Sequence, residues 1–304
     1  MRTVSISAGV PEASVIGIGC MRISSLTVQE VERLIDSSLD LGINFFDHAD
    51  IYAGGECETV FGRAMTAERR NHMVLQTKCA IRPGICYDFS KDYILQSVDQ
   101  SLQRLNTDHI DTLLLHRPDA LMEPEEVAEA FDTLRREGKV TAFGMSNANP
   151  SQIELLNAYC GNAIVIDQIQ FSIAHCPSVD AGLNVNIAGD AACDRTGSIL
   201  EYCRLKNIRP QAGSPFQYGM FEGLFIGSDK YQELNKVMER LAEKYHVSVN
   251  AIAVAWILRH PAGIQTIVGS TNPERIRGIS KAAEITLTRE EWYELYLAAG
   301  KQLP

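Results

Sequence analysis

The segment INFFDHADIY, residues 43–52, places an acid and a phenol, Asp47 and Tyr52, directly after a short apolar run. Two later runs end in a similar way, because MVLQTK ends at Lys78 and IDTLLLH ends at His116. Such runs are typical of buried strands, and in a closed parallel barrel the carboxyl ends of all strands converge on one face. We therefore expect the acid, the phenol, the amine and the imidazole to meet in one pocket suited to proton transfer.

Apolar runs alternate with amphipathic runs along almost the whole chain. The apolar runs predict strands at Val15–Gly19, Ile43–Asp47, Met73–Lys78, Ile110–His116, Val140–Ser146, Ile164–Gln170, Ile208–Ser214 and Ile264–Gly269. The amphipathic runs predict helices at Val28–Leu41, Cys57–Met65, Asp92–Leu105, Glu125–Glu137, Ser151–Tyr159, Ser198–Lys206, Lys230–Tyr245 and Pro273–Ala283. Eight strand-helix units in this order indicate a closed (β/α)8 TIM barrel rather than an open sheet.

Two further helical runs, Val249–Arg259 and Arg289–Leu297, lie outside the eight units. No linker or low-complexity run divides the chain, so we expect residues 1–304 to form a single barrel domain. The segment 176–197 interrupts the alternation after the sixth strand and is rich in Gly, Asn, Asp and Ala. A segment of this length on the active-site face is either a substrate lid or an unstructured insertion.

The composition argues against several classes of function. The net charge is -10 and the pI is near 5.2, whereas nucleic-acid binding needs clustered Lys and Arg. No apolar run reaches the roughly 20 residues of a membrane span, and the first ten residues lack the apolar core of a signal peptide. The eight cysteines show no zinc-site spacing, so we expect free thiols, no metal and a cytoplasmic location. The expected partner is a small molecule, and a monomer would suffice to bind it.

The four polar residues complement one another chemically. Tyr52 is protonated at neutral pH but donates its proton reluctantly, and a nearby ammonium such as Lys78 is expected to lower its pKa. Asp47 can neutralise Lys78, while His116 can donate a hydrogen bond to a substrate oxygen that gains negative charge. None of the four can supply a hydride. The group is therefore suited to protonating an oxygen while a cofactor provides the attack on its carbon.

Each of these residues also has a purely structural interpretation. Asp47 and Lys78 alone could form a buried salt bridge between two strands. Tyr52 alone could be a rim aromatic, and His116 alone could be a core histidine. Their occurrence together at successive strand ends favours a catalytic site over four separate structural roles.

Four segments resemble the signatures of the aldo-keto reductase family, in the family's order and over nearly the whole chain. They are residues 42–52 with Glu58 and Gly62, residues 101–118, residues 138–147 and residues 269–275. The motif DHADIY at residues 47–52 is similar to that of a bacterial oxidoreductase branch of the family. The resemblance implies a barrel that reduces an aldehyde or a ketone to an alcohol by hydride transfer.

The resemblance also implies roles for individual residues. Tyr52 would be the general acid, tuned by Asp47 and Lys78, and His116 would orient the substrate carbonyl. A nicotinamide cofactor would lie across the barrel mouth, with its carboxamide bound by Ser146, Asn147 and Gln168. Its pyrophosphate would lie along Ser214, Pro215, Phe216 and Gly219. Its adenosine end would lie at Gly269, Ser270, Thr271, Asn272 and Arg275.

Two positions, Gly269 and Gly213, depart from the family pattern, and the first bears on the choice of cofactor together with Arg275. Arg275 suits the 2′-phosphate of NADPH, because a guanidinium can bind a phosphate through two charge-assisted hydrogen bonds. Many members also have a lysine where Gly269 stands here, and its absence counts against NADPH. On the charge of Arg275, NADPH remains the expected cofactor and NADH the alternative. Many members have an aromatic residue where Gly213 stands, which stacks on the nicotinamide. Phe171 or Phe216 is the candidate to cover the ring instead.

Two other functions fit part of the pattern. A Schiff-base lyase would use a barrel lysine, here Lys78, with Tyr52 as a proton shuttle, but it leaves Ser146, Asn147 and the Arg275 segment without a role. A nucleotide-sensing subunit would bind the cofactor and turn over little. The complete set of four residues favours NADPH-dependent carbonyl reduction over both.

Overall fold

Eight short parallel strands form a closed barrel at the centre of the molecule. The computed structural model describes residues 1–219 and 221–303. We number the barrel strands β1 Ile16–Gly19, β2 Phe45–Asp47, β3 Val74–Cys79, β4 Ile110–Leu115, β5 Val140–Ser146, β6 Ile164–Gln170, β7 Arg209–Gly213 and β8 Gln265–Val268. Each strand pairs in parallel with the next, and β8 pairs with β1. The predicted (β/α)8 TIM barrel is confirmed.

Helices surround the barrel and cover the outer faces of the strands. They are α1 Val28–Asp40, α2 Glu56–Ala64, α3 Ala67–Asn71, α4 Lys91–Leu105, α5 Pro124–Arg136, α6 Pro150–Tyr159, α7 Pro177–Leu183, α8 Ile199–Lys206, α9 Gln232–Tyr245, α10 Val249–Leu258, α11 Pro273–Ser280 and α12 Arg289–Ala298. The two helices predicted outside the repeating units are present as α10 and α12. Within residues 1–219 and 221–303, no helix is long and apolar enough to cross a membrane.

Helix α1 illustrates how the local sequence produces the outer layer. Its buried residues, among them Val31, Leu34 and Ile35, recur at helical spacing and face the barrel. The helix begins after Thr27, whose hydroxyl accepts from the Glu30 amide while the Glu30 carboxylate accepts from the Thr27 amide. This capping box satisfies backbone donors that the first turn leaves free.

A hairpin that precedes the barrel closes the amino-terminal ends of the strands. Its two short strands are Thr3–Val4 and Ala13–Ser14. Apolar side chains of this region pack against strand residues inside the barrel, such as Phe45 and Val74. The Asn44 side chain accepts from the Ser14 amide and donates to the Glu12 carbonyl. These bonds join Asn44, which precedes β2, to the hairpin, and β2 begins at Phe45 rather than at the predicted Ile43.

The segment after β6 contains more regular structure than the sequence suggested. Helix α7 lies within residues 176–197, which we expected to be either a substrate lid or an unstructured insertion, and Pro177 stands at its start. Proline is favoured at that position because its φ angle suits a helix and its missing N–H would have no partner there. Ser178, Val179 and Ala181 are buried. Part of the segment is therefore packed against the molecule rather than an unstructured insertion.

Candidate active site

A buried ion pair stands at the carboxyl ends of β2 and β3. Lys78 is 0% exposed and Asp47 is 3% exposed. The Lys78 ammonium donates to both carboxylate oxygens of Asp47, at 2.6 and 2.8 Å, and to the backbone carbonyl of His48 at 2.8 Å. Burial has the largest single effect and lowers the pKa of Lys78, but the charges and hydrogen bonds of Asp47 and Tyr52 together outweigh burial and raise the pKa. Lys78 is therefore a fixed positive charge at neutral pH.

Tyr52 lies beside this ion pair. It begins a short 3-10 turn, Tyr52–Gly55, that follows β2 and leads into α2. The Lys78 ammonium is 3.3 Å from the Tyr52 phenol oxygen, which is its longest hydrogen bond. The helix that follows the turn, α2, is bonded to its neighbours through Glu58, which accepts from Arg104 of α4 and from Thr77 of β3. The turn after β2 thus places the phenol within hydrogen-bond distance of the Lys78 ammonium.

The pKa of Tyr52 differs in direction from our expectation. Burial raises the pKa of the phenol above its ordinary value, and Asp47 also raises it, whereas Lys78 lowers it. The expected effect of Lys78 is present, but the loss of solvent outweighs it. Lowering the pKa would therefore depend on further positive charge or hydrogen-bond donors near the phenol oxygen.

His116 stands next to Tyr52 on the same face of the barrel. The two ring centroids are 5.9 Å apart and the rings are nearly perpendicular. Burial, together with the charges of Lys78 and Arg117, lowers the pKa of His116 to about 3. The imidazole is therefore neutral at physiological pH and carries one N–H donor. All four residues that the sequence singled out meet at the barrel mouth.

Three polar side chains at the ends of β5 and β6 form a second group at the mouth. The Ser146 hydroxyl donates to the backbone carbonyl of Gln168 at 2.9 Å, and the side-chain NH2 of Asn147 donates to the Ser146 hydroxyl at 2.9 Å. Asn147 has a φ of 56° in the left-handed region. Asparagine tolerates this region better than most residues, which allows the chain to turn sharply after β5.

The segments after β7 and β8 hold the other residues predicted to bind a cofactor. Ser214, with a φ of 52°, begins a turn in which the Gln217 amide donates to its carbonyl. Asn272 caps α11, because its side-chain oxygen accepts from the Arg275 amide at 3.0 Å. The Arg275 side chain is exposed in the first turn of that helix. Of the two residues considered as substitutes for an aromatic at Gly213, Phe171 is fully buried against Trp256, which leaves Phe216.

Two functional candidates escaped the sequence reasoning. Gln76 of β3 donates to the Asp47 carboxylate at 2.7 Å, and Gln211 of β7 accepts from Gln168 at 3.0 Å. Side chains two residues apart in a strand point to the same face, so the position of Gln76 relative to Lys78 could have signalled it. Glutamine within a barrel interior otherwise has no sequence signature.

The comparisons with known proteins agree with this geometry. The sequence model of the Aldo/keto reductase family matches residues 15–296, and this chain belongs to that family. An uncharacterized oxidoreductase of Bacillus subtilis, YcsN, is 37% identical over 288 residues, which cover 90% of each chain. A 6-dehydroglucose reductase of Agrobacterium fabrum is 35% identical over 90% of this chain and 89% of its own. The predicted class, an NAD(P)H-dependent oxidoreductase, is thereby confirmed.

Two solved structures share the fold. The thermostable aldo-keto reductase Tm1743, in a complex with the inhibitor epalrestat, superposes with a TM-score of 0.78. It is 25% identical, and the match covers 98% of this chain and 100% of that one. An aldo/keto reductase of Klebsiella pneumoniae, in complex with NADP and acetate, has a TM-score of 0.76 at 23% identity, over 96% and 93% of the two chains.

Proposed function

We propose that this protein reduces an aldehyde or a ketone to an alcohol with NADPH, and that Tyr52 is the general acid. The observation that carries the proposal is the position of Lys78. Its ammonium is saturated by Asp47 and the His48 carbonyl, yet it also reaches the Tyr52 phenol oxygen at 3.3 Å. A positive charge fixed there stabilises the phenolate that remains after Tyr52 has given up its proton. We also propose that the chain acts as one barrel domain.

The residues at the mouth fit the nicotinamide end of the cofactor. Gln168 donates one hydrogen bond to Gln211, and its side-chain oxygen has no donor within residues 1–219 and 221–303. That oxygen can accept from a carboxamide NH2, while Ser146 and Asn147 can bind the carboxamide from the other side. When bound, the cofactor supplies the hydride, which these side chains cannot do.

The segments after β7 and β8 fit the rest of the cofactor. We propose that Ser214, Pro215, Phe216 and Gly219 line the pyrophosphate and that Gly269, Ser270 and Thr271 lie at the adenosine end. The exposed guanidinium of Arg275 makes no ion pair within the described part of the chain. It lies in the first turn of α11, and the amino end of a helix favours anions. This favours the 2′-phosphate of NADPH over NADH. Asn272 acts there through its cap of α11.

The proton transfer follows from the charges around Tyr52. A substrate carbonyl oxygen placed between Tyr52 and His116 would accept hydrogen bonds from the phenol and from the neutral imidazole. As negative charge develops on that oxygen, the phenol gives it the proton, and Lys78 compensates the charge that passes to the phenolate. Asp47 keeps the ammonium in place but does not touch the substrate. In alcohol oxidation the phenolate acts as the base.

The structure weighs against the lyase that the sequence also allowed. A Schiff base requires an unprotonated amine, but the pKa of Lys78 is raised and all its strong hydrogen bonds are to Asp47 and a backbone carbonyl. Separating the ammonium from Asp47 would leave a buried carboxylate unpaired. Such a step is costly in a protein interior.

The proposal is tested by mixing the protein with NADPH and a panel of aldehydes, ketones and oxidised sugars. The sugars include 6-dehydroglucose, since a relative is named for that activity. Tyr52→Phe should lower kcat by roughly 10²- to 10⁴-fold while NADPH binding is retained. Tyr202→Phe, which removes a phenol hydrogen-bonded to Glu154 on the surface, is the matched control and should keep full activity.

Two results would contradict the proposal. If Tyr52→Phe oxidised NADPH at the wild-type rate, Tyr52 would not be the acid. If the wild-type protein bound NADPH tightly but turned over no carbonyl of the panel, the nucleotide-sensing function would replace reduction.

A further inference from the structure

A continuous chain of buried amides crosses the interior of the barrel. Gln76 of β3 and Gln211 of β7 stand on strands four apart in an eight-stranded barrel, and thus on opposite sides of its axis. Their side chains form two hydrogen bonds with each other. The Gln76 NH2 donates to the Gln211 oxygen at 2.9 Å, and the Gln211 NH2 donates to the Gln76 oxygen at 3.2 Å. Both side chains are 0% exposed.

This amide pair connects the two polar groups of the mouth. The Gln76 NH2 also donates to Asp47 at 2.7 Å, so one end of the pair meets the ion pair beside Tyr52. At the other end, the Gln211 oxygen accepts from the Gln168 NH2 at 3.0 Å. The hydrogen-bonded path from Asp47 to Gln168 therefore needs only Gln76 and Gln211.

The direction of every amide in the chain is fixed by acceptors at its ends. The Gln265 NH2 donates to the Ser14 backbone carbonyl at 2.7 Å, which leaves the Gln265 oxygen to accept from Gln211 at 2.8 Å. The Gln211 oxygen must then face Gln76 and Gln168. At the other end the Asp47 carboxylate can only accept, so the Gln76 NH2 faces it. Turning any one amide around would place two acceptors or two donors together.

The fixed direction has a consequence for the cofactor site. Because Gln168 donates its NH2 to Gln211, the Gln168 oxygen is the atom left for the mouth. A Cβ atom built on Gly213, at the end of β7, would lie 3.7 Å from that oxygen, which places the oxygen on the side of the β7 end. Gln168 thus presents its side-chain oxygen, an acceptor, to the mouth, because Gln211 accepts from its NH2 group.

We propose that Gln211 and Gln76 are positioning residues of the active site, which hold the Gln168 oxygen toward the carboxamide and join it to Asp47. The inference rests on the proposed function, since it takes Gln168 as the residue that binds the carboxamide. Buried amides are costly unless their hydrogen bonds are made, and Gln76 and Gln211 each have both oxygen and NH2 engaged. A partly broken chain would let Gln168 rotate and present either end.

The first test compares the binding of NADP⁺ with that of its acetylpyridine analogue, in which a methyl ketone replaces the carboxamide. The analogue cannot donate to the Gln168 oxygen. Wild type should bind NADP⁺ about 3- to 10-fold more tightly than the analogue, as expected for one net hydrogen bond. In Gln211→Met, which retains the side-chain length but no hydrogen bonds, this ratio should fall to within about twofold. Titration calorimetry measures both affinities without turnover.

The matched control is Thr112→Val. The Thr112 hydroxyl donates to the Gln76 oxygen at 3.0 Å but lies on neither route to Asp47 or Gln168. This variant should lose stability and keep the wild-type ratio. If Gln211→Met does not fold, Gln265→Met removes the acceptor that orients Gln211 and should also lower the ratio.

The second test concerns the Asp47 end. Gln76→Met removes a donor that faces the ion pair, and the loss of this positive dipole should raise the pKa of Tyr52. Alcohol oxidation needs the phenolate, so its rise in kcat with pH should move to higher pH by about half a unit or more. Thr112→Val should leave the profile unchanged.

The outcomes separate this inference from the proposed function. A folded Gln211→Met that keeps the wild-type ratio, or a Gln76→Met with the wild-type pH profile, overturns the positioning role while carbonyl reduction stands. A wild-type ratio of one overturns the positioning role together with the assignment of Gln168 to the carboxamide, while carbonyl reduction with NADPH stands. Failure of wild type to bind NADP⁺ at all overturns both.

Discussion

Two buried ion pairs stand at opposite ends of the same barrel and differ in how they use their cations. Arg70 and Asp111 lie at the amino-terminal ends of the strands, 2.9 Å apart, with side chains 10% and 6% exposed. Lys78 and Asp47 lie at the carboxyl ends, 2.6 Å apart, with side chains 1% and 4% exposed. Burial and distance are similar, so neither quantity distinguishes a structural pair from a candidate catalytic one.

The remaining partners of each cation do distinguish them. Arg70 also donates to two backbone carbonyls, those of Met73 and His109, and to the Thr107 hydroxyl, none of which changes its protonation at physiological pH. Within residues 1–219 and 221–303, Lys78 has one titratable hydrogen-bond partner besides its carboxylate, the phenol of Tyr52. The difference teaches that the function of a buried charge depends on whether one of its partners can change protonation. For Lys78 that partner is the phenol of Tyr52, which makes its longest hydrogen bond.

The largest effect should follow from removing the cation at the mouth. Lys78→Met should lower kcat for carbonyl reduction by roughly 10²- to 10⁴-fold, because the phenolate loses its compensating charge. It should also lower the free energy of unfolding by about 3–5 kcal/mol, since Asp47 is left as a buried unpaired charge. Steady-state kinetics and urea unfolding measure the two effects.

A double variant separates the two effects of Lys78. Lys78→Met combined with Asp47→Leu removes both charges and should recover much of the lost stability, because no unpaired charge remains. Activity should not return. A double variant that regained wild-type kcat would show that Lys78 serves the fold alone, as Arg70 does.

The corresponding substitution at the other end should affect stability only. Arg70→Met leaves the buried Asp111 without its cation but with the hydrogen bond from the Leu75 amide, and it deprives two backbone carbonyls of a donor. The free energy of unfolding should fall by about 3–5 kcal/mol. The folded variant should keep kcat within about twofold of wild type at a temperature below its transition. A hundredfold loss of kcat would mean that Arg70 also contributes to catalysis, so that the two ion pairs could not be distinguished by function.

The sequence contained most of the fold because the barrel is repetitive. Eight apolar runs separated by amphipathic runs can be read without tertiary information, and all eight predicted strands are present. Helix α7 was missed because its seven residues are too few to show helical periodicity. Residue Asn44, just before β2, is bonded to Ser14 and Glu12, about 30 residues away, and no local pattern reveals these contacts.

The sequence predicted only part of the candidate site, and the reason differs from that for the fold. Asp47, Lys78 and His116 stand at strand ends, so barrel geometry alone predicts that they meet. The direction of the Tyr52 pKa shift was not predictable, since it depends on whether burial or Lys78 has the larger effect. Gln76 and Gln211 face the interior from opposite strands, and their pairing requires the barrel's closure and registers.

A third buried carboxyl, Asp167, has no cation partner among the residues that the structure describes, and its pH dependence extends the comparison. Asp167 is 0% exposed, and burial raises its pKa to about 8 although it accepts from the Ala148 amide. Between about pH 4 and pH 8 the folded protein therefore holds a proton that the unfolded chain releases, so this group makes stability fall as pH rises. Asp167→Asn should gain stability relative to wild type by about 1.4 kcal/mol per pH unit over this range. Unfolding at pH 5, 6 and 7 checks the slope, and an unchanged difference would mean that Asp167 is ionised in the fold.

The smallest effect should come from an ion pair on the surface. Lys236 and Glu233 of α9 are 2.7 Å apart, as close as the buried pairs, but their side chains are 66% and 74% exposed. Water already solvates both charges there, so their attraction is nearly cancelled by the hydration lost and the side-chain motion restricted. Lys236→Ala should change the free energy of unfolding by less than about 0.5 kcal/mol, and added salt should reduce even this difference. A loss comparable to that of Arg70→Met would mean that distance, rather than burial and the remaining partners, sets the strength of ion pairs in this protein.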